Sequence, residues 1–153
     1  MPGIVVGIDG SAHSRHALEW AMSEAALRGT PLTVLTVAQI TTAYWGPAAV
    51  WYPPLDEDVT EQALKAAHEE VGAVLDRLGA DSPRSVSVKA VVGLPAEEIL
   101  RAAQDADMIV VGSRGAGGFR KLLMGSVSLQ VTHHAHCPVV VIPAADDAAF
   151  ISR

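Results

Sequence analysis

Cysteine occurs once in the 153 residues, at Cys137, so no disulfide can form within the chain and a reducing compartment, the cytoplasm, is expected. Aromatic residues are scarce: three Trp, two Tyr and two Phe leave the core to small aliphatic side chains. Basic residues are also few. Eleven Lys and Arg stand against 17 Asp and Glu, a net charge of −6, so the basic stripe that general nucleic-acid binding needs is lacking. No apolar run approaches the roughly 20 residues of a membrane-spanning helix. The opening "MPGIVVGID" has neither a basic start nor a long apolar region, so no secretory leader is expected there. Repeats, low-complexity tracts and linkers are missing too. The length fits one domain, residues 1–145, with 146–153 as a loose tail.

What is present is a regular alternation. "GIVVGID", residues 3–9, reads as a buried strand ending in Asp-Gly-Ser. Ser11 can cap a helix whose stripe is Ala17, Leu18, Ala21, Met22 and Ala25. "PLTVLTVA" from Pro31 is β-branched and predicts a second strand. A helix over about 58–78 carries Val59, Ala63, Ala67, Val71, Val74 and Leu78 on one side. A strand near 86–92, a helix from Pro95 to about Ala103 with Ile99, Leu100 and Ala103 facing inward, and a strand at 107–111 follow. A helix over about 126–135 and the strand "CPVVVIP" close the series. The βαβαβαβαβ order with near-continuous apolar strands predicts a three-layer αβα sandwich around a five-stranded parallel sheet.

Such sheets take ligands beyond the carboxyl ends of their strands, where strand order reverses. An order 2-1-3-4-5 would put the crevice between strands one and three; an order 3-2-1-4-5 puts it between one and four. Strand three ends in the bland "VVGLP", whereas strand one ends in Asp9-Gly10-Ser11 and strand four in Gly112-Ser113-Arg114-Gly115. The order 3-2-1-4-5 is therefore expected. A phospho-receiver domain, which needs an acidic cluster after strand one and an Asp after strand three, is disfavoured on the same residues.

In "VVGSRGAGGFRKLLMGSVS", Gly112 and Gly115 let backbone amides turn toward an anion without obstruction by a Cβ. Gly125-Ser126 sits at the expected start of a helix, where free N–H groups and the positive end of the dipole attract phosphate. Ser126 can cap that helix and also donate its hydroxyl to a phosphate oxygen. Arg114, Arg120 and Lys121 add positive charge, either as phosphate contacts or as solvated side chains. The segment is not a Walker A loop, because Gly117 is followed by Gly118-Phe119. The turn "GIDGSAHS" is not a dinucleotide fingerprint either.

The spacing Gly112-x2-Gly115-x9-Gly125-Ser126 resembles the G-x2-G-x9-G-[S/T] motif of the ATP-binding class of universal stress proteins. "IVVGIDGSAHSRHALEWA", "VVGLPAEEIL" and "HCPVVVIP" are similar to that family's opening strand and helix, its third strand and next helix, and its closing strand. The resemblance implies a Rossmann-like fold of the adenine nucleotide alpha hydrolase type, with ATP at the ends of strands one and four. By motif, Gly7 and Asp9 would lie by ribose or adenine, and Val37 would offer its backbone to adenine. Val111 and Gly112 would underlie the nucleoside, while Gly115, Gly125, Ser126 and Val127 would hold the phosphates. Mg²⁺ or Mn²⁺ would bridge the phosphates through phosphate and water oxygens. A homodimer through the last strand is implied, and covering an apolar edge strand favours it independently.

The function expected is a cytoplasmic stress-response regulator or partner-binding module controlled by ATP. The alternatives are a slow ATPase or phosphotransfer enzyme, and a binder of AMP or cyclic AMP. Phosphoryl transfer needs a base and metal-holding carboxylates, and residues 112–126 contain neither Asp nor Glu, so no catalytic residue is assigned. Asp9 reads either as a ligand contact or as the cap of its own turn. "HHAHC", His133 to Cys137, lacks a second ligand pair at zinc spacing, so no metal-ligating residue is assigned; imidazoles there meet the helix dipole. His13 and His16, near the start of the first helix, are expected either beside the site or at the surface, with the surface favoured, and Cys137 as a buried thiol. The stretch 41–54, with Tyr44, Trp45, Trp51 and Tyr52, is expected to close over a ligand, to form a contact surface, or to pack down on the domain itself.

Overall fold

A computed structural model of the chain describes residues 2–39, 57–114 and 124–143. Its strands are β1 (Ile4–Ile8), β2 (Leu32–Gln39), β3 (Val86–Gly93), β4 (Met108–Gly112) and β5 (Val139–Ile142). Its helices are α1 (Ala12–Arg28), α2 (Glu57–Leu78), α3 (Pro95–Ala102) and α4 (Ser126–His134). A single 3₁₀ turn, Gly79–Asp81, follows α2; the sequence pattern gave no sign of it.

The five strands are parallel in the order β3-β2-β1-β4-β5. The expected order therefore holds, and β1 and β4 are neighbours at the centre. Alternation of side chains divides the core in two. On one face Val6 and Val110 of the sheet pack with Leu18, Met22 and Ala25 of α1 and with Val71 and Val74 of α2. On the other, Val5, Ile109 and Val111 pack with Ile99 of α3 and Val131 of α4. Every residue of the predicted α1 stripe is buried. One expectation about helix faces needs correction. Val59, at the start of α2, is 39% exposed, because the stripe only meets the sheet from Ala67 onward. Ile99 and Ala103 are buried and Leu100, half-buried, packs against the same cluster as expected, while Ala96, an inward position of α3 not expected, is buried too.

Register fixes which residues reach the carboxyl edge together. Val6 lies between Val34 and Val110, so Gly7 is level with Leu35 and Val111. Ile8 pairs with Thr36, which leaves Asp9, just past the end of β1, level with Val37 of β2, which still pairs with Val91 of β3. Gly112 pairs with Ile142, and Ser113 N–H continues the ladder by donating to the Ile142 carbonyl at 2.9 Å.

Candidate functional site at the ends of β1 and β4

The turn after β1 is built from its own polar atoms. Asp9 Oδ1 accepts from the Ser11 amide at 2.9 Å, and Gly10 bridges the two with a φ of 80°, a conformation that favours glycine. Ser11 is the N-cap of α1, its hydroxyl accepting from the Ser14 amide at 3.2 Å. Asp9 is thus the cap of its turn, and it is also exposed at the strand end, where a ligand would meet it. The turn-cap reading of this residue is the one its hydrogen bond to Ser11 shows.

The start of α1 lies directly on β4. A Cβ added to Gly112 would fall 3.0 Å from the His13 carbonyl carbon and 3.1 Å from its Cβ and carbonyl oxygen. Glycine at 112 therefore accommodates the close approach of a helix backbone. His13 is accordingly half-buried beside the end of β4, with a buried Nδ1 that has no hydrogen-bond partner among the described residues, so of its two expected placements the one beside the site holds; His16 is exposed. Gly7 serves the opposite face, where a Cβ would come within 2.7 Å of Ile99 Cδ1.

The start of α4 differs from that of α1. Its N-cap is Gly125, which makes no side-chain cap, and Ser126 is the first helical residue, so the expectation that Ser126 caps this helix is corrected. The first intrahelical bond runs from Leu129 N–H to the Gly125 carbonyl at 3.0 Å. The amides of Ser126, Val127 and Ser128 precede it and have no helical acceptor. Ser126 is exposed, and Val127 rests partly against the core. The Gly125 amide donates to the Ser113 carbonyl at 2.6 Å, which brings this open helix end against the end of β4.

Gly7, Asp9, Val37, Val111, Gly112, Gly125, Ser126 and Val127 therefore all lie along β1, β2 and β4 or at the start of α4 that β4 holds. Val111 itself is buried in the sheet, 3% exposed, and pairs with Val141 of β5. Gly115, Arg120, Lys121 and the aromatic stretch 41–54 fall outside the described residues.

Charge near the β1 end comes from α2 as well. Burial raises the pKa of Glu70 above the ordinary carboxylate value, Arg15 opposes the rise, and the Asp9 carboxylate adds to it. Arg15 Nε stands 4.0 Å from Glu70 Oε1. Sequence reasoning missed Glu70, which is one acidic residue among many on a solvated helix. Among the described residues no three His, Cys, Asp or Glu side chains gather as a metal site. His133 and His134 are both exposed at the end of α4. Cys137 is half-buried against the α3–α4 face, and burial raises its thiol pKa. No described helix is long and apolar enough to cross a membrane.

A model of the universal stress protein family matches residues 2–143. Universal stress protein Rv2005c of Mycobacterium tuberculosis is 37% identical over 152 residues, covering 95% of this chain and 49% of its own length. The chain thus spans about half the length of the curated relatives it matches. Among solved structures, UspA from Lactobacillus plantarum superposes with a TM-score of 0.69 at 27% identity, covering 92% of this chain and 97% of that one. A universal stress protein from Archaeoglobus fulgidus, solved in complex with dAMP, gives a TM-score of 0.61 at 26% identity over 93% of this chain and 98% of that one. Strand order, the paired ends of β1 and β4, and a family match across nearly the whole chain agree: this chain belongs to the universal stress protein family.

Proposed function

We propose that the strand-end site binds ATP and that the chain works as a nucleotide-controlled regulator or partner-binding module in a cytoplasmic stress response. The observation that carries the proposal is the uncapped start of α4, held against the end of β4. Three amides without helical acceptors, at the positive end of a helix, suit phosphate oxygens. The edge formed by Asp9, Val37 and the backbone at Val111–Gly112 would take the adenosine. Gly115 would join Gly125, Ser126 and Val127 on the phosphates. Mg²⁺ or Mn²⁺ fits as an ion carried by phosphate and water oxygens, since the described residues offer no carboxylate cluster to hold one alone.

A second reading, a binder of AMP-type ligands, is favoured by the relative solved with dAMP. Titration calorimetry with Mg-ATP, ADP, AMP and cyclic AMP, with phosphate release followed in parallel, separates the two. ATP is expected to bind most tightly with negligible release. Preference for AMP or cyclic AMP would overturn the triphosphate assignment, and rapid release abolished by Asp9→Ala would replace the regulator with an enzyme.

The order of strands leaves β5 at an edge, with all four residues of Val139–Ile142 only partly buried. Pairing with β5 of a second copy would satisfy its open backbone groups, and a two-fold homodimer is proposed on that ground. Sedimentation equilibrium at micromolar concentration is expected to give the dimer mass; a monomer alone would refute the pairing.

A further inference from the structure

Three polar side chains are buried among the described residues: Ser14 at 5% exposure, Ser113 at 4% and Ser128 at 2%. All three sit at the ends of β1 and β4. Ser113 Oγ makes no hydrogen bond among the described residues, whereas the hydroxyls of Ser14 and Ser128 are bonded. A buried hydroxyl is costly unless it is bonded, so the partners of these two show what they hold.

Ser14 and Ser128 occupy the same place in their helices, three residues after the N-caps Ser11 and Gly125. Each turns its hydroxyl back to the cap carbonyl: Ser14 Oγ donates to Ser11 O at 3.1 Å, and Ser128 Oγ reaches Gly125 O at 3.1 Å. Each also reaches the strand before its helix. Ser14 Oγ accepts from the Asp9 amide at 3.2 Å. Ser128 Oγ lies 2.9 Å from the Ser113 carbonyl. A hydroxyl has one proton and accepts through its lone pairs. Ser14 therefore makes both of its bonds at once, while Ser128 divides one proton between two carbonyls. The helix after β3 has no such device, since the residue three after its N-cap Leu94 is the exposed Glu97.

We propose that Ser14 and Ser128 are positioning residues that divide a bound nucleotide between them. Ser14 fixes Asp9 and with it the adenosine end. Ser128 fixes the open start of α4 to β4 and with it the phosphate end. This division rests on the nucleotide reading above, whereas the two clamps rest on the hydrogen bonds alone.

The test compares wild type, Ser14→Ala and Ser128→Ala by titration with Mg-ATP and with adenosine, and by hydrogen exchange without ligand. Losing one such bond is worth about tenfold in affinity. Ser128→Ala should weaken ATP about tenfold and leave adenosine unchanged; Ser14→Ala should weaken both by the same factor. In exchange, the Gly125 amide should lose protection in Ser128→Ala and the Asp9 amide in Ser14→Ala. Equal losses for both ligands in both variants, or no losses, would overturn the division. Unaltered protection at Gly125 and Asp9 would overturn the clamps. A wild type that binds neither ligand would overturn the nucleotide reading and the division with it, while exchange still decides the clamps.

Discussion

Gly112→Val is expected to abolish nucleotide binding and to lower the melting temperature. The Cβ alone would stand 3.0 Å from the carbonyl carbon of His13 and 3.1 Å from its oxygen. These atoms belong to the first turn of α1, whose backbone cannot swing aside as the end of a flexible side chain would. The two further methyl groups of valine deepen the conflict. Overpacking of this kind costs about 1–3 kcal/mol, or about 2–12 °C of melting temperature for a chain of this size. Relief requires α1 to lift from β4, and α1 carries both Ser14 and the turn at Asp9. The adenosine edge and the phosphate end would then separate. Calorimetric titration with Mg-ATP and a thermal melt read the two effects. Wild-type affinity in Gly112→Val would show that the approach of α1 to β4 does not shape the site.

Leu18→Ala should produce the largest loss of stability. Leu18 is fully buried, 0% exposed, in the cluster that joins α1 to the sheet and to α2. Truncation removes the transfer energy of three carbons and leaves a cavity, about 2–5 kcal/mol together. Against a total stability of roughly 5–15 kcal/mol, this is a large fraction. Leu27, on the same helix but 82% exposed, supplies the control. Leu27→Ala should stay within about 0.5 kcal/mol of wild type. Urea unfolding measures both, and similar values for the two would contradict the assignment of the α1 core face.

The strands and helices were legible because their causes are local. β-branched runs such as "LTVLTV" and the Ala17–Ala25 stripe state their own period. The strand order was legible from the polar endings of β1 and β4, since a bland ending at β3 leaves little for a ligand to meet. What the sequence concealed depends on contacts between distant segments. Which of its two placements His13 takes follows from the approach of α1 to Gly112, ninety-nine residues further along. The N-cap of α4 fell one residue before the expected serine, because the Ser113 carbonyl holds Gly125 at the helix start. The clamps of Ser14 and Ser128 were hidden for the same reason. A serine announces nothing about its burial, and only the spacing of Ser11 to Ser14 and of Gly125 to Ser128 hints at a shared device.

Backbone NMR of the nitrogen-15-labelled chain during addition of Mg-ATP reads the open start of α4 atom by atom. Large shifts are predicted at the amides of Ser126, Val127 and Ser128, while adenosine alone should move Asp9 and Gly112 and leave those three in place. Saturating Mg-ATP that leaves all three unmoved would contradict the proposal that this helix end receives the phosphates.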